Sequence, residues 1–154
     1  MSLRDQLSND IKLAMKAGEK KKVATIRLMQ AAIKEKDINS RTAGHDSELT
    51  GDPGILDIFT KMVKQRQDSI AAFEKGSRDD LAQNEKDEMA IIQTYMPKQM
   101  SEDEAKAAVA AVIKAIGASG IKDMGKVMAE LKTQYSGQMD MGKAGGMVKG
   151  LLGS

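Results

Sequence analysis

The spacing of apolar residues constrains the fold of this chain more than any other feature of its sequence. In each long segment, apolar side chains recur every three or four residues, which is typical of an amphipathic helix. The most regular stripe consists of Ala105, Ala108, Val109, Val112, Ile113 and Ile116. No segment alternates between apolar and polar residues over the length of a strand. The sequence therefore predicts an all-α fold without a sheet.

Helix start and stop signals divide this periodic sequence into about seven helices. Ser2 and Ser101 are suited to N-caps, and Glu104 three residues after Ser101 completes a capping-box pattern. Ser77 predicts a further helix start in the same way. The segment 39–53 is rich in Ser, Thr, Gly and Asp without periodicity, so it is predicted to be a loop.

The best domain boundary is at Pro97, because proline cannot continue the helix that precedes it. We expect four helices in an N-terminal lobe, residues 1–97. The remaining three helices would form a C-terminal bundle, residues 98–154.

A short repeat marks the C-terminal part. The tetrapeptide Asp-Met-Gly-Lys occurs twice, beginning at Asp123 and at Asp140, and each copy opens a run with helical spacing. Each aspartate is suited to an N-cap, which places Lys126 and Lys143 in a first helical turn. One interpretation is anion binding at the two helix N-termini. The other, favoured for each glycine taken separately, is close packing of two helices.

Composition indicates a packed protein, with 41% hydrophobic and 30% charged residues. The chain has no cysteine, which fits a reducing cytosol, and it has no apolar run of membrane-spanning length or secretory signal. We therefore expect a cytoplasmic protein that does not bind membranes. The single histidine, His45, lies in the predicted loop without a partner for metal binding, so no metal site is expected.

Charge is distributed unevenly along the chain. Residues 1–42 carry ten Lys/Arg against five Asp/Glu, residues 43–97 carry six against eleven, and residues 98–154 carry eight against six. A basic face at the beginning and end of the chain is compatible with nucleic-acid contact. Charge runs are also common on ordinary solvated faces.

Catalytic motifs are missing from the sequence. No Ser/His/Asp set or paired-histidine metal motif is present. The carboxylates Glu85, Asp87 and Glu88 are close in sequence, but such a triplet on a helix is usually a solvated face. We expect no catalytic residue and no cofactor, which favours a binding module over an enzyme.

Several segments together resemble the YqeY-like family, which shares a domain with the B subunit of glutamine-dependent aminoacyl-tRNA amidotransferases. The matching segments are TIRLMQAAIK at 25–34, KQRQDSI at 64–70, GSRDDL at 76–81, YMPKQMS at 95–101 and GKVM at 125–128. The resemblance implies an all-helical, two-lobed fold. It also implies that the C-terminal three helices correspond to the amidotransferase tail, which contacts tRNA and performs no chemistry.

The resemblance leaves three functional hypotheses. The first is a non-catalytic RNA-binding module, with tRNA and amidotransferase subunits as the expected partners. The second is carbon–nitrogen ligase activity with glutamine as amide donor, although the catalytic portion of the amidotransferase B subunit has no counterpart here. The third is a helical protein-interaction adaptor.

Aromatic residues make up only 3% of the chain, so RNA would be recognised by shape and phosphate contacts. The candidate nucleic-acid-binding residues are Lys126, Lys143, Arg27, Lys34, Lys64 and Arg66.

Overall fold

The computed structural model describes residues 1–42 and 50–153. These residues form seven α-helices, one short 3-10 turn and no strand. The helices are, in chain order, α1 (Leu3–Ala17), α2 (Lys20–Thr42), α3 (Asp52–Lys75), α4 (Asp79–Gln93), α5 (Glu102–Ile116), α6 (Met124–Tyr135) and α7 (Met141–Leu152). The all-α prediction is confirmed. No helix in the described ranges has the length and apolarity needed to cross a bilayer.

The chain divides into two compact units, Met1–Met96 and Pro97–Ser154. In the first unit, α1 packs on α2, and α3 packs along α4. All four helices contribute to one apolar core, whose buried residues are Leu3, Leu7, Ile26, Met29, Ile33, Ile55, Phe59, Met62, Val63 and Ile92. Phe59 is completely buried and is the largest side chain in this core.

The first helix begins and ends as its sequence predicts. The Ser2 hydroxyl accepts a hydrogen bond from the Asp5 amide at 3.2 Å, which satisfies one of the free donors of the first turn. Gly18 ends α1 in the left-handed conformation, with φ of 71°, which glycine adopts without steric cost. The chain turns there directly into α2.

The second helix is longer than predicted. It continues through residues 39–42, and α3 already begins at Asp52, so the prediction of a loop over 39–53 is wrong at both ends. Residues 43–49, including His45, lie outside the described part of the chain. At the far side of this segment, Pro53 lies in the first turn of α3, as its missing N–H favours.

The start of α4 also differs from the prediction. Ser77 does not cap this helix: it has a φ of 58° and belongs to the turn that ends α3. The amide of the next residue, Arg78, donates to the Phe73 carbonyl at 2.8 Å. Arg78 occupies the N-cap position without a side-chain cap, and its guanidinium pairs instead with Asp80.

The second unit has its own apolar core between α5, α6 and α7. Its buried residues are Ala105, Ala108, Val109, Val112, Val127, Leu131, Met139, Ala144, Val148 and Leu152. The predicted capping box is confirmed, since the Glu104 amide donates to the Ser101 hydroxyl at 3.1 Å and the Ser101 amide to the Glu104 carboxylate at 3.4 Å. Gly117 ends α5 in the left-handed conformation.

A buried carboxylate fastens three helices of the first unit together. Asp37, on α2, is only 9% exposed and accepts hydrogen bonds from the Arg4 guanidinium at 2.8 and 2.9 Å and from the Thr50 amide at 2.8 Å. Arg4, on α1, also donates to the Thr50 carbonyl. Nearby, the Leu3 amide donates to Asp52 in the first turn of α3. The backbone preceding α3 is thus held against α1 and α2.

The Asp37 carboxylate is stabilised in its charged form. Burial alone would raise its pKa, but the hydrogen bonds from Thr50 and Arg4, together with the charge of Arg4, outweigh burial and lower the pKa below its ordinary value. A carboxyl with a lowered pKa in the folded state contributes stability above its ordinary pKa, and this contribution is lost as the pH falls through the folded value.

We predict that Asp37→Asn lowers the free energy of unfolding at neutral pH by about 2–3 kcal/mol, because it leaves Arg4 without its anion. The stability difference from wild type should be constant above the ordinary carboxyl pKa of 3.8 and shrink as the pH falls below it. Urea denaturation between pH 2 and pH 7 measures both effects.

The matched control for this prediction is Asp87→Asn. Asp87 pairs with Lys21 between α2 and α4, but solvent screens this surface pair, so its loss should cost much less stability than the loss of Asp37. Equal costs for the two variants would show that the buried network has no special role.

Candidate nucleic-acid interface

Four cations follow one another along the outward face of α2. They are Lys20, Arg27, Lys34 and Arg41, and each is separated from the next by seven residues. Seven residues advance an α-helix by about 10.5 Å and rotate it by only about 20° from two full turns. All four side chains are exposed. They therefore form a line about 32 Å long, which we call the α2 stripe.

The α2 stripe lies on a different side of its helix from the apolar residues of the core. Ile26, Met29 and Ile33 point into the core, and Asp37 is held by Arg4 on the inner side. None of the four stripe cations forms an ion pair or side-chain hydrogen bond with another described residue. Within the described ranges, no acidic side chain therefore neutralises these four cations.

Little negative charge lies on the same helix. The acidic residues of α2 are Glu35 and Asp37, and Asp37 is buried in the Arg4 network. Glu35 is exposed next to Lys34, but adjacent residues on a helix do not face each other. The outward surface of α2 is thus strongly basic.

Small and apolar residues separate the cations of the stripe. Ala24, Ala31 and Ile38 also recur every seven residues, and each is exposed between two cations. Leu28 is exposed on the same helix at 46% of its surface. A ligand on the stripe would meet alternating positive charge and apolar surface.

The two candidate residues on α3 have different surroundings. Lys64 is exposed. Arg66 is largely buried, and its guanidinium donates to the Glu88 carboxylate at 3.1 Å and to the Met62 carbonyl at 3.1 Å. This ion pair joins α3 to α4, so the structure gives Arg66 a role in helix packing.

In both copies of the C-terminal repeat the lysine lies in the first turn of a helix, but only one of the two aspartates caps its helix with its side chain. Lys126 and Lys143 are exposed in the first turns of α6 and α7. Asp140 caps α7 as predicted, with its carboxylate accepting from the Gly142 amide at 2.8 Å. The predicted side-chain cap is wrong for Asp123.

Asp123 ends a 3-10 turn, Ile121–Asp123, and its carboxylate accepts from the Ser119 amide at 3.0 Å. That hydrogen bond lowers the pKa of Asp123, and the nearby charges of Lys122 and Lys126 contribute in the same direction. A carboxylate is therefore present at the start of both helices. This arrangement weakens the case for a second anion at either helix N-terminus.

The glycines of the repeat are not required for close helix packing. A Cβ atom on Gly125 would meet no heavy atom within 4 Å, and one on Gly142 would meet the Asp140 carboxylate of its own turn. A Cβ on Gly145 would make ordinary contacts with Met124 and Met128. The packing interpretation of Gly125 and Gly142 is therefore wrong.

Two members of the α2 stripe were missing from the sequence prediction. Arg41 fell within the predicted loop, and Lys20 was not among the candidate residues. The signal that identifies both residues is the seven-residue spacing from Arg27 and Lys34. Among the described residues, no group of three or more His, Cys, Asp or Glu side chains is placed to hold a metal ion.

Comparison with protein families identifies the class of this protein. The family model described as Yqey-like protein matches residues 4–152, which is nearly the whole chain. The chain therefore belongs to the YqeY-like family, as its motifs predict.

Curated relatives share part of this sequence. Altered inheritance of mitochondria protein 41, mitochondrial, from Eremothecium gossypii is 44% identical over 90 residues, which are 58% of this chain and 46% of that protein. The protein of the same name from Vanderwaltozyma polyspora is 40% identical over 90 residues, which are 58% of this chain and 46% of that protein. The one from Kluyveromyces lactis is 36% identical over 89 residues, which are 58% of this chain and 45% of that protein. The matched segment spans just under half the length of these relatives.

The names of these relatives contradict the prediction of a cytoplasmic location, which is therefore wrong. They are named as mitochondrial proteins. The prediction depended on the absence of cysteine and of long apolar runs, and neither feature distinguishes one aqueous compartment from another.

The geometry of Arg66 predicts a loss of stability when its charge is removed. Arg66→Gln should lower the free energy of unfolding by about 2–3 kcal/mol, because Glu88 is left largely buried without a partner. Arg27→Gln, on the exposed face of α2, should change it by less than about 0.5 kcal/mol. Thermal and urea denaturation compare the two variants, and an unchanged stability for Arg66→Gln would contradict the packing role.

Proposed function

We propose that this protein is a non-catalytic RNA-binding module that holds the phosphate backbone of a tRNA-class RNA along the α2 stripe. The observation that carries the proposal is a line of four exposed cations that have no acidic partner among the described residues, Lys20, Arg27, Lys34 and Arg41. A row of exposed Lys and Arg on a helix is suited to phosphate contact, which supplies most of the affinity of sequence-independent nucleic-acid binding.

The dimensions of the stripe support an extended polyanion as its ligand. A single phosphate or carboxylate could engage one or two cations about 10.5 Å apart, but only a long anionic chain reaches all four. The helix needs no rearrangement, because Asp37 and the apolar core already fix its orientation. Binding would therefore cost little conformational entropy beyond that of the cationic side chains.

The choice of tRNA as the RNA class rests on the resemblance of the C-terminal three helices to the amidotransferase B-subunit tail. In this proposal, α5, α6 and α7 present Lys126 and Lys143 as a second contact surface. The protein would act beside a glutamine-dependent tRNA amidotransferase, with no catalytic step of its own.

Removing two charges from the α2 stripe should weaken RNA binding. We predict that the double variant Lys34→Gln/Arg41→Gln binds bulk tRNA more weakly. The slope of log K against log salt concentration should become shallower by about 1.4–1.8, since each lost phosphate contact removes about 0.7–0.9. Fluorescence anisotropy across a salt series measures both quantities.

The matched control is Lys126→Gln/Lys143→Gln, which removes the same charge from the second unit. We expect it to change the slope less than the stripe variant does. A larger effect of the control would move the main RNA surface to the C-terminal unit and contradict the α2 proposal. Failure of the wild-type protein to prefer tRNA over an unrelated single-stranded RNA would contradict the choice of tRNA.

A protein-interaction adaptor is the second candidate function, and exposed apolar side chains favour it. Leu13, Met15, Leu28 and Ile38 are 46–62% exposed in the first unit. An adaptor would retain a defined protein partner after nuclease treatment, and its binding would be insensitive to the Lys34→Gln/Arg41→Gln exchange. The RNA module would lose its partner under the same treatment.

A further inference from the structure

A cleft opens at the turn between α1 and α2, at one end of the α2 stripe. Its volume is about 380 Å³. Its walls are mainly apolar and include Ala14, Met15, Val23 and Ala24. The left-handed turn at Gly18 brings the end of α1 back onto the first turns of α2 and so forms the cleft.

Two cations of the α2 stripe line this same cleft. Lys20 and Arg27 are about 10.5 Å apart along the helix axis, and both belong to its lining. One end of the α2 stripe therefore lies at the apolar cleft. A ligand that occupied both would need a charged backbone and an uncharged, flat or apolar group projecting from it.

From this juxtaposition we propose that the cleft takes an unpaired nucleobase of the RNA bound along the α2 stripe, an inference that rests on the proposed function. A nucleic-acid strand combines the two required parts, because its phosphates repeat along a backbone and its bases project to one side. The volume lies at the lower end of the range of about 300–1,000 Å³ for small-molecule pockets, which suits one heterocycle.

The residues of the cleft have the chemistry to hold a base. The Arg27 guanidinium is planar and stacks on aromatic faces, and it lines the cleft beside apolar side chains. Met15, which is 54% exposed, offers a flexible and polarisable thioether that adapts to an aromatic ring. Neither contact requires a particular base, so recognition depends on whether the base is unpaired.

The proposed base-binding cleft predicts a preference for RNA with unpaired bases over fully paired RNA, which phosphate contacts alone would not produce. In a fully paired duplex every base is stacked inside the helix, whereas a loop or single-stranded end presents bases that can leave the stack. RNA with an unpaired segment should therefore bind more tightly than a blunt duplex of the same charge. Because the lining of the cleft contains no aromatic side chain, we expect a preference near the lower end of that measured for one stacked base, about tenfold.

The test compares two RNAs and three proteins. The RNAs are a blunt, fully paired duplex and a duplex with the same total number of nucleotides, whose shorter stem carries an unpaired 3′ extension. The proteins are wild type, Ala24→Met and Ala31→Met. Ala24 lines the cleft, so a methionine there would occupy it without changing the charge and with only a small loss of helix propensity. Ala31 is exposed seven residues further along the same face and is the matched control.

We expect wild type and Ala31→Met to bind the extended RNA about tenfold more tightly than the blunt duplex. Ala24→Met should lose this preference and bind the blunt duplex with the same affinity as Ala31→Met. Equal affinity of wild type for both RNAs would overturn the cleft proposal and leave the stripe intact. Equal weakening of both RNAs by Ala24→Met would also overturn it. If wild type binds neither RNA, the proposed function itself fails.

Discussion

The buried Asp37 carboxylate is the constraint on which the arrangement of the first unit depends. It satisfies its hydrogen-bonding capacity with Arg4 from α1 and with the Thr50 amide that precedes α3. Because a buried charge without partners is costly, α2 cannot rotate about its axis without exposing or orphaning this group. The apolar residues Ile26, Met29 and Ile33 fix the same rotation from the core side.

The orientation of α2 decides what the protein presents to its surroundings. Asp37 lies three residues after Lys34 and four before Arg41, so it is their neighbour on the helix surface, but it is buried while they are exposed. A helix held on one side by packing and a charge network presents the opposite side as a rigid surface. The proposed phosphate contacts would therefore be preorganised, which favours binding because the helix loses little conformational entropy when RNA binds.

Much of the fold follows from local sequence signals. The predicted caps at Ser2 and Ser101 are confirmed, because each depends on a backbone donor within one turn. The helix ends at Gly18 and Gly117 and the position of Pro53 likewise depend on local φ angles. The incorrect predictions concern positions where tertiary contacts determine the local structure. The polar residues 39–42 continue α2 although their composition favours a loop, since Asp37 anchors this part of the helix to α1 and to Thr50.

The error in the length of α2 also concealed part of the candidate site. With α2 ending near residue 38, Arg41 had no helical face, so the spacing from Lys20 to Arg41 could not be recognised. Side-chain partners are the second feature that sequence alone does not supply. Arg27 and Arg66 carry the same charge, but only the structure shows that Arg66 forms an ion pair with Glu88 and that Arg27 lines an open cleft.

The most direct test of the central claim is an NMR titration of the isotopically labelled protein with tRNA, following the backbone amide signals. The account predicts that the largest shifts fall on the exposed positions of α2 around Arg27, Lys34 and Arg41, and that they diminish as salt is raised. Shifts confined to the first turns of α6 and α7, or no shifts at low salt, would contradict it.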